Sequence, residues 1–328
     1  MKFQNKVVRF VVVHFHLKDI EMGKFVNSIL MIRPFNFRFN SETAKNNYFQ
    51  KQSINEVKEN ILKKSINEFD QLVVKLKNCG FNVHVFQDDL KNDTPDSVFP
   101  NNWITFHENK KIAIYPMFAK NRRLERDKRV ITFLEDKNLV FKTIYDYSNA
   151  ENDGLFLEGT GSMVLDRYNK KAYCSLSERT NENLIIEFCN DFNYMPIIFN
   201  SFQTNDKKRK PVYHTNVMMC LAHKYCVICL NSIDSKKEKE LVRQSLKDDN
   251  KEIIEISEAQ LNLFAGNMIE LINKSGSFLF MSQSAYKSLT ENQIHKISKY
   301  SKIIYSSVST IETCGGGSVR CMIAEIFN

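Results

Sequence analysis

The strongest chemical signal in the sequence is Cys321, which follows three consecutive glycines, Gly315–Gly317. Glycine lacks a Cβ, so this run lets a ligand or another chain segment approach the backbone closely. Arg320 precedes the cysteine, and a neighbouring cation favours the nucleophilic thiolate over the thiol. The segment predicts a reactive cysteine; the alternative is a glycine-rich turn ahead of a core strand over Met322–Phe327.

A thiolate nucleophile needs a group that moves protons, and His214 is the best placed of the seven histidines. It stands where a polar segment meets the apolar run Val217–Leu221, a position from which side chains are often presented. His84 fits an alternating strand and His295 an amphipathic helix, so both have structural explanations. His214 is therefore the predicted general acid/base.

The predicted acidic partner is Glu158, which precedes the segment Gly159-Thr160-Gly161. A carboxylate at the start of a strand can reach into a cleft to orient an imidazole, and the alternative is a loop carboxylate that faces solvent. The segment is too short for a dinucleotide fingerprint, and we expect it to open no helix. No nucleotide cofactor is expected.

Two other patterns are weak metal signals. Cys226 and Cys229 form a C-x-x-C within an apolar run, which favours a buried strand over redox or zinc chemistry. His14 and His16 alternate without a third ligand nearby. The sequence therefore predicts no metal site.

Composition limits the class of protein. The 328 residues are 43% hydrophobic and 26% charged, which excludes a disordered chain, and no apolar run reaches the ~20 residues of a membrane span. The formal net charge of +8 leaves one alternative, a basic non-catalytic nucleic-acid-binding protein, but no nucleic-acid-binding motif accompanies it. We expect a cytoplasmic monomer or homodimer with free thiols that binds a small molecule and neither nucleic acid nor membrane.

Apolar residues within Thr43–Lys77 recur every three or four positions, which predicts helical stretches that end at the glycine of Cys79-Gly80. The pattern also predicts a helix over Arg122–Leu134 and a strand over Val217–Leu221.

Short apolar strands alternate with polar helices in cycles of roughly 50–60 residues. Five strand–strand–helix–strand units fit the chain from Met22 onward. We interpret Met1–Glu21 as a non-core extension and residues 22–328 as a single catalytic domain. A cyclic α/β propeller and an open doubly wound sheet both satisfy the periodicity.

Several motifs in a consistent order resemble those of the guanidino-group-modifying superfamily, which contains arginine deiminases, dimethylargininases, succinylarginine dihydrolase and amidinotransferases. The similarity covers Leu30–Phe327 and is greatest to the bacterial citrulline-utilization hydrolase branch. It implies a five-bladed α/β propeller (pentein) with the site in its central channel. Beside the Cys321, His214 and Glu158 segments, the motifs are Phe99-Pro100-Asn101-Asn102-Trp103, Tyr115-Pro116-Met117 leading to Arg122-Arg123, and Ser177-Glu178-Arg179-Thr180.

The resemblance implies a hydrolase of C–N bonds in a guanidino or ureido compound. Cys321 would attack the central carbon and form a covalent adduct, with His214 as general acid/base and Glu158 as its partner. The products would be ammonia and a citrulline- or ornithine-type compound from an arginine- or citrulline-like substrate. The alternative within the family is an amidinotransferase that passes the adduct to an amine.

The sequence departs from the deiminases at Asn102 and Asn216, where those enzymes carry aspartates. A carboxylate neutralises a guanidinium, whereas an amide offers one acceptor and two donors without charge. The two amides therefore fit a neutral ureido group better. The alternative for Asn216 is that it only braces a loop.

For the other end of the substrate, Arg179 and one of Arg122 and Arg123 resemble the residues that hold the α-carboxylate in deiminases. A guanidinium binds a carboxylate through two parallel hydrogen bonds. Salt bridges to nearby acidic residues are the alternative for Arg122 and Arg123. Asn47 is a further predicted pocket residue.

Overall fold

Small sheets and short helices alternate along the chain. The computed structural model describes residues 26, 28–52, 57–89 and 91–327. The predicted extension Met1–Glu21, with His14 and His16, lies outside the described residues. The rest forms a mixed α/β fold in a single domain, and no helix in these ranges is long and apolar enough to cross a membrane.

One three-stranded unit occurs five times within these ranges. In each unit the first strand is antiparallel to the middle strand, and the middle strand is parallel to the third. The strands, by unit, are β17 (Ala324–Ile326), β1 (Ser28–Arg33) and β2 (Asn82–Gln87); β3 (Ile104–His107), β4 (Lys111–Ile114) and β5 (Thr143–Asp146); β6 (Met163–Asp166), β7 (Lys171–Leu176) and β8 (Met195–Asn200); β11 (Met219–Leu221), β12 (Tyr225–Ile228) and β13 (Glu252–Glu255); β14 (Ile269–Asn273), β15 (Gly276–Ser282) and β16 (Lys302–Ser306).

Helices connect the parallel strands, because a parallel pair needs a long crossover. The α-helices are α1 (Lys58–Asn78), α2 (Lys128–Glu135), α3 (Gly159–Ser162), α4 (Glu182–Phe192), α5 (Thr215–Met218), α6 (Lys236–Asp248), α7 (Glu258–Leu261), α8 (Gln283–Ser288), α9 (Glu291–Ser298) and α10 (Ser309–Gly315). The middle and third strands are joined through α1, α2, α4, α6 or the pair α8–α9. The repeated strand–strand–helix–strand unit is thus present.

One unit is assembled from both ends of the described chain. Strand β17 pairs with β1, with Ser28 opposite Ile326, although some 300 positions separate them. The sequence pattern predicts five consecutive units, whereas the structure has four consecutive units and one divided between the two ends. Periodicity along the sequence does not show that a strand from far along the chain completes the first unit.

Helix α1 follows the predicted pattern. Its apolar residues recur every three or four positions, and Phe69, Leu72 and Leu76 are buried. The helix ends at Asn78 with Cys79 as its C-cap, and Gly80 follows with a φ of +87°, a left-handed conformation that glycine adopts without a steric penalty. The glycine stop predicted from the sequence is where the helix terminates.

Two predicted elements differ in detail. The helix expected over Arg122–Leu134 divides into a 3-10 segment, Asn121–Glu125, and α2, because the Asp127 side chain caps a new helix start at the Arg129 N–H. The strand expected over Val217–Leu221 is only β11, because a helical turn, α5, precedes it.

A hairpin outside the five units escaped prediction. Strands β9 (Phe202–Asn205) and β10 (Lys208–Pro211) are joined by Asp206 and Lys207, both with positive φ. Two consecutive left-handed residues are typical of the two-residue turns that match strand twist. Asp206 is a usual residue for such a turn, but Lys207 is not, so the turn signal in the sequence is weak.

The segments just before each first strand position the functional residues. We call these five segments the pre-strand turns. They are Pro100–Asn102, Gly159–Ser162, Thr215–Met218, residues 265–268 and Val319–Met322. Buried apolar clusters surround them, so their side chains have little freedom to move.

We expect Phe280→Ala to lower the free energy of unfolding by about 3–5 kcal/mol, because Phe280 on β15 is fully buried and its ring packs edge-on against Phe81. Urea unfolding followed by circular dichroism measures the change. Phe35→Ala is the matched control; Phe35 is 40% exposed, so its loss should change stability by less than about 0.5 kcal/mol. Equal losses in the two variants would contradict the assigned core.

Candidate active site

The three predicted catalytic residues lie around one small cavity. His214 and Cys321 line it, and Glu158 lies behind His214, with 2.8 Å between the His214 Nε2 and the Glu158 Oε2. All three side chains are nearly inaccessible to solvent, at 2%, 2% and 0% exposure. The cavity opens to solvent and contains about 250 Å³ of space between atoms. It is lined by Thr43, Asn47, Asp96, Phe99, Asn102, Arg122, Arg179, Tyr213, His214, Gly315–Gly317 and Cys321.

The local fold fixes the Glu158 carboxylate. Its backbone N–H donates to the Ser162 Oγ at 2.9 Å, and its Oε1 accepts from the Phe118 N–H at 3.0 Å. Glu158 also stands at the N-cap of α3, a single helical turn over Gly159–Ser162. The expectation that this segment opens no helix is therefore wrong, because it forms one helical turn.

Glu158 is ionised although it is fully buried. Burial alone would raise the pKa of its carboxyl, but Arg179 at 3.4 Å, His214 and Arg122 at 3.9 Å outweigh it and hold the pKa far below the usual range. A buried charge costs least when it is paired and hydrogen-bonded in this way. The site therefore carries a permanent negative charge next to the imidazole.

His214 is neutral at physiological pH. Burial lowers its pKa to about 4, against the opposing effect of Glu158, which favours the charged ring. A carboxylate only accepts hydrogen bonds, so the proton of the neutral ring is on Nε2 and points at Glu158. The other nitrogen, Nδ1, is left as a proton acceptor.

Gly161 provides the space for this imidazole. A Cβ at that position would lie 2.7 Å from the His214 Nδ1 and 2.5 Å from the Asn102 Nδ2. Any other residue would displace one of them. Glycine here serves the packing of the site.

The glycine run before Cys321 makes room for side chains of the same chain. A Cβ on Gly315 or Gly317 would strike the Phe99 ring at 2.8 or 2.9 Å, and one on Gly316 would strike Asn47 and Gln50 at 2.5 Å. Gly316 also has a φ of +62°. The sequence predicted that a ligand or another chain segment lies against this run, and the structure shows the chain segment.

Two amides contact the Cys321 sulfur. The Sγ lies 3.3 Å from the Nδ2 of Asn267 and 3.6 Å from the Nδ2 of Asn216. Arg320 turns away and pairs with Glu325 at 3.1 Å, so the predicted effect of this cation on the thiol is not supported. The Oδ1 atoms of Asn267 and Asn216 also lie 3.6 and 3.8 Å from the sulfur, so the thiol contacts both polar atoms of each neutral amide.

Arg122 orients Asn102. Its guanidinium bonds both carboxylate oxygens of Glu125, at 2.9 and 2.8 Å, and its Nη1 donates to the Asn102 Oδ1 at 2.8 Å. The Nδ2 of Asn102 is buried without a hydrogen-bond partner among the described residues. This amide thus presents a free donor at the cavity wall.

Arg179 is held by the loop that covers the cavity. Its guanidinium donates to the Thr43 carbonyl at 2.9 Å and to the Asn46 Oδ1, also at 2.9 Å. Asn47 lines the cavity as predicted and donates to the Gly316 carbonyl at 3.2 Å. These contacts tie the loop to both sides of the site.

Arg123 does not lie at the cavity. Its side chain is partly exposed, donates to the Met117 carbonyl at 3.0 Å and pairs with Glu151 at 3.3 Å. A salt bridge was the alternative weighed for this residue. Of the two adjacent arginines, Arg122 is the one directed inward.

Two residues at the site escaped sequence reasoning. Asp96 lines the cavity, and its Oδ1 is buried without a partner among the described residues, while its Oδ2 accepts from Asn40 at 2.7 Å. Asn267 contacts the sulfur. Asn267 precedes β14 by two residues, as Asn102 precedes β3, so comparing the repeats at that offset could have found it.

The fold resembles solved structures of enzymes that act on guanidino groups. ArgZ, an arginine dihydrolase from cyanobacteria, matches with a TM-score of 0.69 at 15% identity, covering 92% of this chain but 40% of ArgZ. The N-terminal domain of ArgZ bound to substrate matches at 0.68 and 15% identity, covering 92% of this chain and 98% of that domain. A dimethylarginine dimethylaminohydrolase adduct with S-methyl-L-thiocitrulline matches at 0.61 and 15% identity, covering 92% and 100%. The chain therefore has a mixed α/β fold similar to that of these enzymes.

A family model described as N,N dimethylarginine dimethylhydrolase, eukaryotic, matches residues 33–328. Because the match spans most of the sequence, the chain belongs to this family. The predicted membership of the guanidino-group-modifying superfamily is confirmed. A search of curated proteins finds none that matches the chain.

We expect the His214 ring to titrate near pH 4, well below the usual histidine value of about 6.5. Glu158→Gln should lower this midpoint further, because the carboxylate is the interaction that raises the His214 pKa against burial. Nuclear magnetic resonance of ¹⁵N-histidine-labelled protein gives both midpoints. A His214 midpoint at or above 6.5 in the unaltered protein would contradict the buried, neutral ring.

Proposed function

We propose that the chain hydrolyses a C–N bond of an α-amino acid carrying a guanidino or ureido group, through a covalent adduct on Cys321. The observation that supports this most strongly is that His214, paired with Glu158, and Cys321 line the same cavity.

The first step replaces a C–N bond by a C–S bond. As substrate binds, the thiol proton passes to the His214 Nδ1, and the thiolate attacks the central guanidinium carbon. The ring then returns that proton to the departing nitrogen, which leaves as ammonia, and a thiouronium adduct remains on Cys321. Splitting the reaction this way suits a resonance-stabilised carbon that water attacks poorly.

The second step returns the enzyme to its starting state. Neutral His214 takes a proton from water, the hydroxide adds to the adduct carbon, and the C–S bond breaks. The sulfur recovers a proton as thiol, the product carries a ureido group, and the remaining proton leaves with ammonia as ammonium. The Glu158 carboxylate stabilises the imidazolium in both steps.

The cavity offers partners for both charged groups of an amino acid. The unpaired Asp96 Oδ1 is an acceptor for an α-ammonium group. Arg179 donates to two neutral oxygens, of Thr43 and Asn46, which a carboxylate can replace with stronger charge-assisted bonds. These contacts support an arginine- or citrulline-like substrate. Arg179 is the first candidate to bind its α-carboxylate, and Arg122 is the second.

The orientation of Asn102 favours a reaction that continues past the ureido product. Arg122 occupies the Asn102 oxygen, so the group left for substrate is an N–H donor. A ureido carbonyl accepts such a bond and a guanidinium does not. A second round of hydrolysis would convert the ureido compound and water into an amine, carbon dioxide and ammonia.

We also infer that the five units close into a five-bladed α/β propeller with the cavity at its centre. The pairing of β17 with β1 supports closure, since it joins the last strand to the first. Residues from all five pre-strand turns around one site support the central position, with Asn102, Gly161, Asn216, Asn267 and Cys321 contributed by one turn each.

Cys321→Ser should lower turnover of arginine and citrulline by at least about 10³-fold, because a hydroxyl is a far weaker nucleophile than a thiolate. Ammonia, citrulline and ornithine are quantified by chromatography, and the adduct by intact-protein mass spectrometry. Cys79→Ser, at a partly exposed thiol away from the cavity, is the control expected to keep full activity. Wild-type turnover by the Cys321 variant would refute the proposal, and a product that requires added glycine would indicate amidino transfer.

Asn102→Asp should shift the products from ornithine toward citrulline, lowering the ornithine-to-citrulline ratio about tenfold, because a carboxylate cannot donate to the ureido carbonyl. The ratio is read from an arginine time course, so loss of total activity does not disguise the effect. Asn183→Asp, on the exposed first turn of α4, is the matched control. An unchanged ratio in the Asn102 variant would contradict the donor role.

A further inference from the structure

The amides that contact Cys321 form a cradle without charge. Asn267 and Asn216 are 0% and 1% exposed. The Nδ2 of each lies closer to the sulfur than its Oδ1 does, at 3.3 against 3.6 Å for Asn267 and 3.6 against 3.8 Å for Asn216. Arg320, the adjacent cation in the sequence, donates instead to the Ile323 carbonyl and pairs with Glu325. Within the described residues the sulfur therefore depends on neutral donors.

The network fixes the orientation of the Asn267 amide. Its Nδ2 also lies 3.0 Å from the Asn216 carbonyl oxygen and 3.2 Å from the Asn216 Oδ1. Turning the amide round would place its own oxygen against both acceptors. The nitrogen therefore stays on the side of the Asn216 oxygens and the sulfur, where its two N–H groups serve three acceptors, and Asn267 braces Asn216 at the same time.

A close backbone contact at Gly266 fixes the position of Asn267. A Cβ on Gly266 would lie 2.4 Å from the Val217 carbonyl oxygen and 2.7 Å from the Met218 carbonyl carbon. Only glycine lets residues 265–268 pack this tightly against α5. The contact places Asn267 beside Asn216 and beneath the sulfur of Cys321.

We propose that Asn267 is a positioning residue for Cys321 that stabilises its thiolate and aims it into the cavity. A hydrogen bond to the charged form of a group favours ionisation, and the thiolate is the nucleophile. Asn267 takes the place of the cation that usually activates such a thiol. This inference rests on the proposed role of Cys321.

The test is the rate at which iodoacetamide alkylates Cys321 at pH 7, read from the Cys321 peptide by mass spectrometry. Asn267→Asp has nearly the same shape but replaces the donor with an acceptor. We expect the rate to fall about tenfold, because the thiolate is the form that reacts. The other titratable or charged groups at the cavity, unchanged by the substitution, are Asp96, Arg122, Glu158, Arg179, Tyr213 and His214.

Asn273→Asp is the matched control, since Asn273 is a buried amide at the end of β14, the strand that follows Asn267, and donates to the Cys79 carbonyl. Its alkylation rate should equal that of the unaltered protein. Asn267→Ala removes the donor without adding charge and should lower the rate in the same direction, which keeps the test decisive if the aspartate variant does not fold. An unchanged rate in a folded Asn267 variant, or an equal fall in the Asn273 variant, would overturn the proposal.

Kinetics separate this inference from the proposed function. If Asn267 acts through the sulfur, Asn267→Ala should lower kcat about tenfold with little change in KM, since the residue does not line the cavity. Alkylation requires no substrate, so it reports on Asn267 even if arginine and citrulline are not turned over. A KM effect alone would overturn the positioning role.

Discussion

The site depends on one buried hydrogen bond, between the Glu158 carboxylate and the His214 imidazole. Neither group meets solvent, so each sets the state of the other: the carboxylate stays ionised because Arg179, Arg122 and the ring N–H surround it. The ionised carboxylate in turn fixes the ring tautomer and leaves Nδ1 for proton transfer. Removing one partner would strand the other in a low-dielectric interior, which costs far more than an exposed pair is worth.

The sequence predicted local structure well but did not predict which distant strands pair. The 3–4 spacing and glycine stop of α1 follow from local chemistry, and so do most strands. The pairing of β1 with β17 does not, because hydrophobic periodicity carries no information on which distant strand completes a sheet. The helical turns α3 and α5 were missed because their position next to the cavity, rather than propensity, holds their four residues.

Some site residues stand in a local sequence motif and could be predicted, whereas others depend on contacts between distant parts of the chain. Cys321, His214 and Asn102 stand beside recognisable motifs, and the structure brings them to one cavity. Asp96 and Arg123 show the limit of such reasoning, because side-chain direction depends on packing that one sequence does not encode locally. Asn267 has no motif, since its relation to the sulfur exists only after Gly266 brings two units into backbone contact.

The divided unit also constrains how the protein is synthesised. Cys321 precedes β17, whose partner β1 is synthesised some 300 residues earlier. That strand lacks its antiparallel neighbour while the intervening residues are translated, and an unpaired edge is where premature association begins. The Glu158–His214 pair is also synthesised before Cys321, so the site is complete only when the divided unit is.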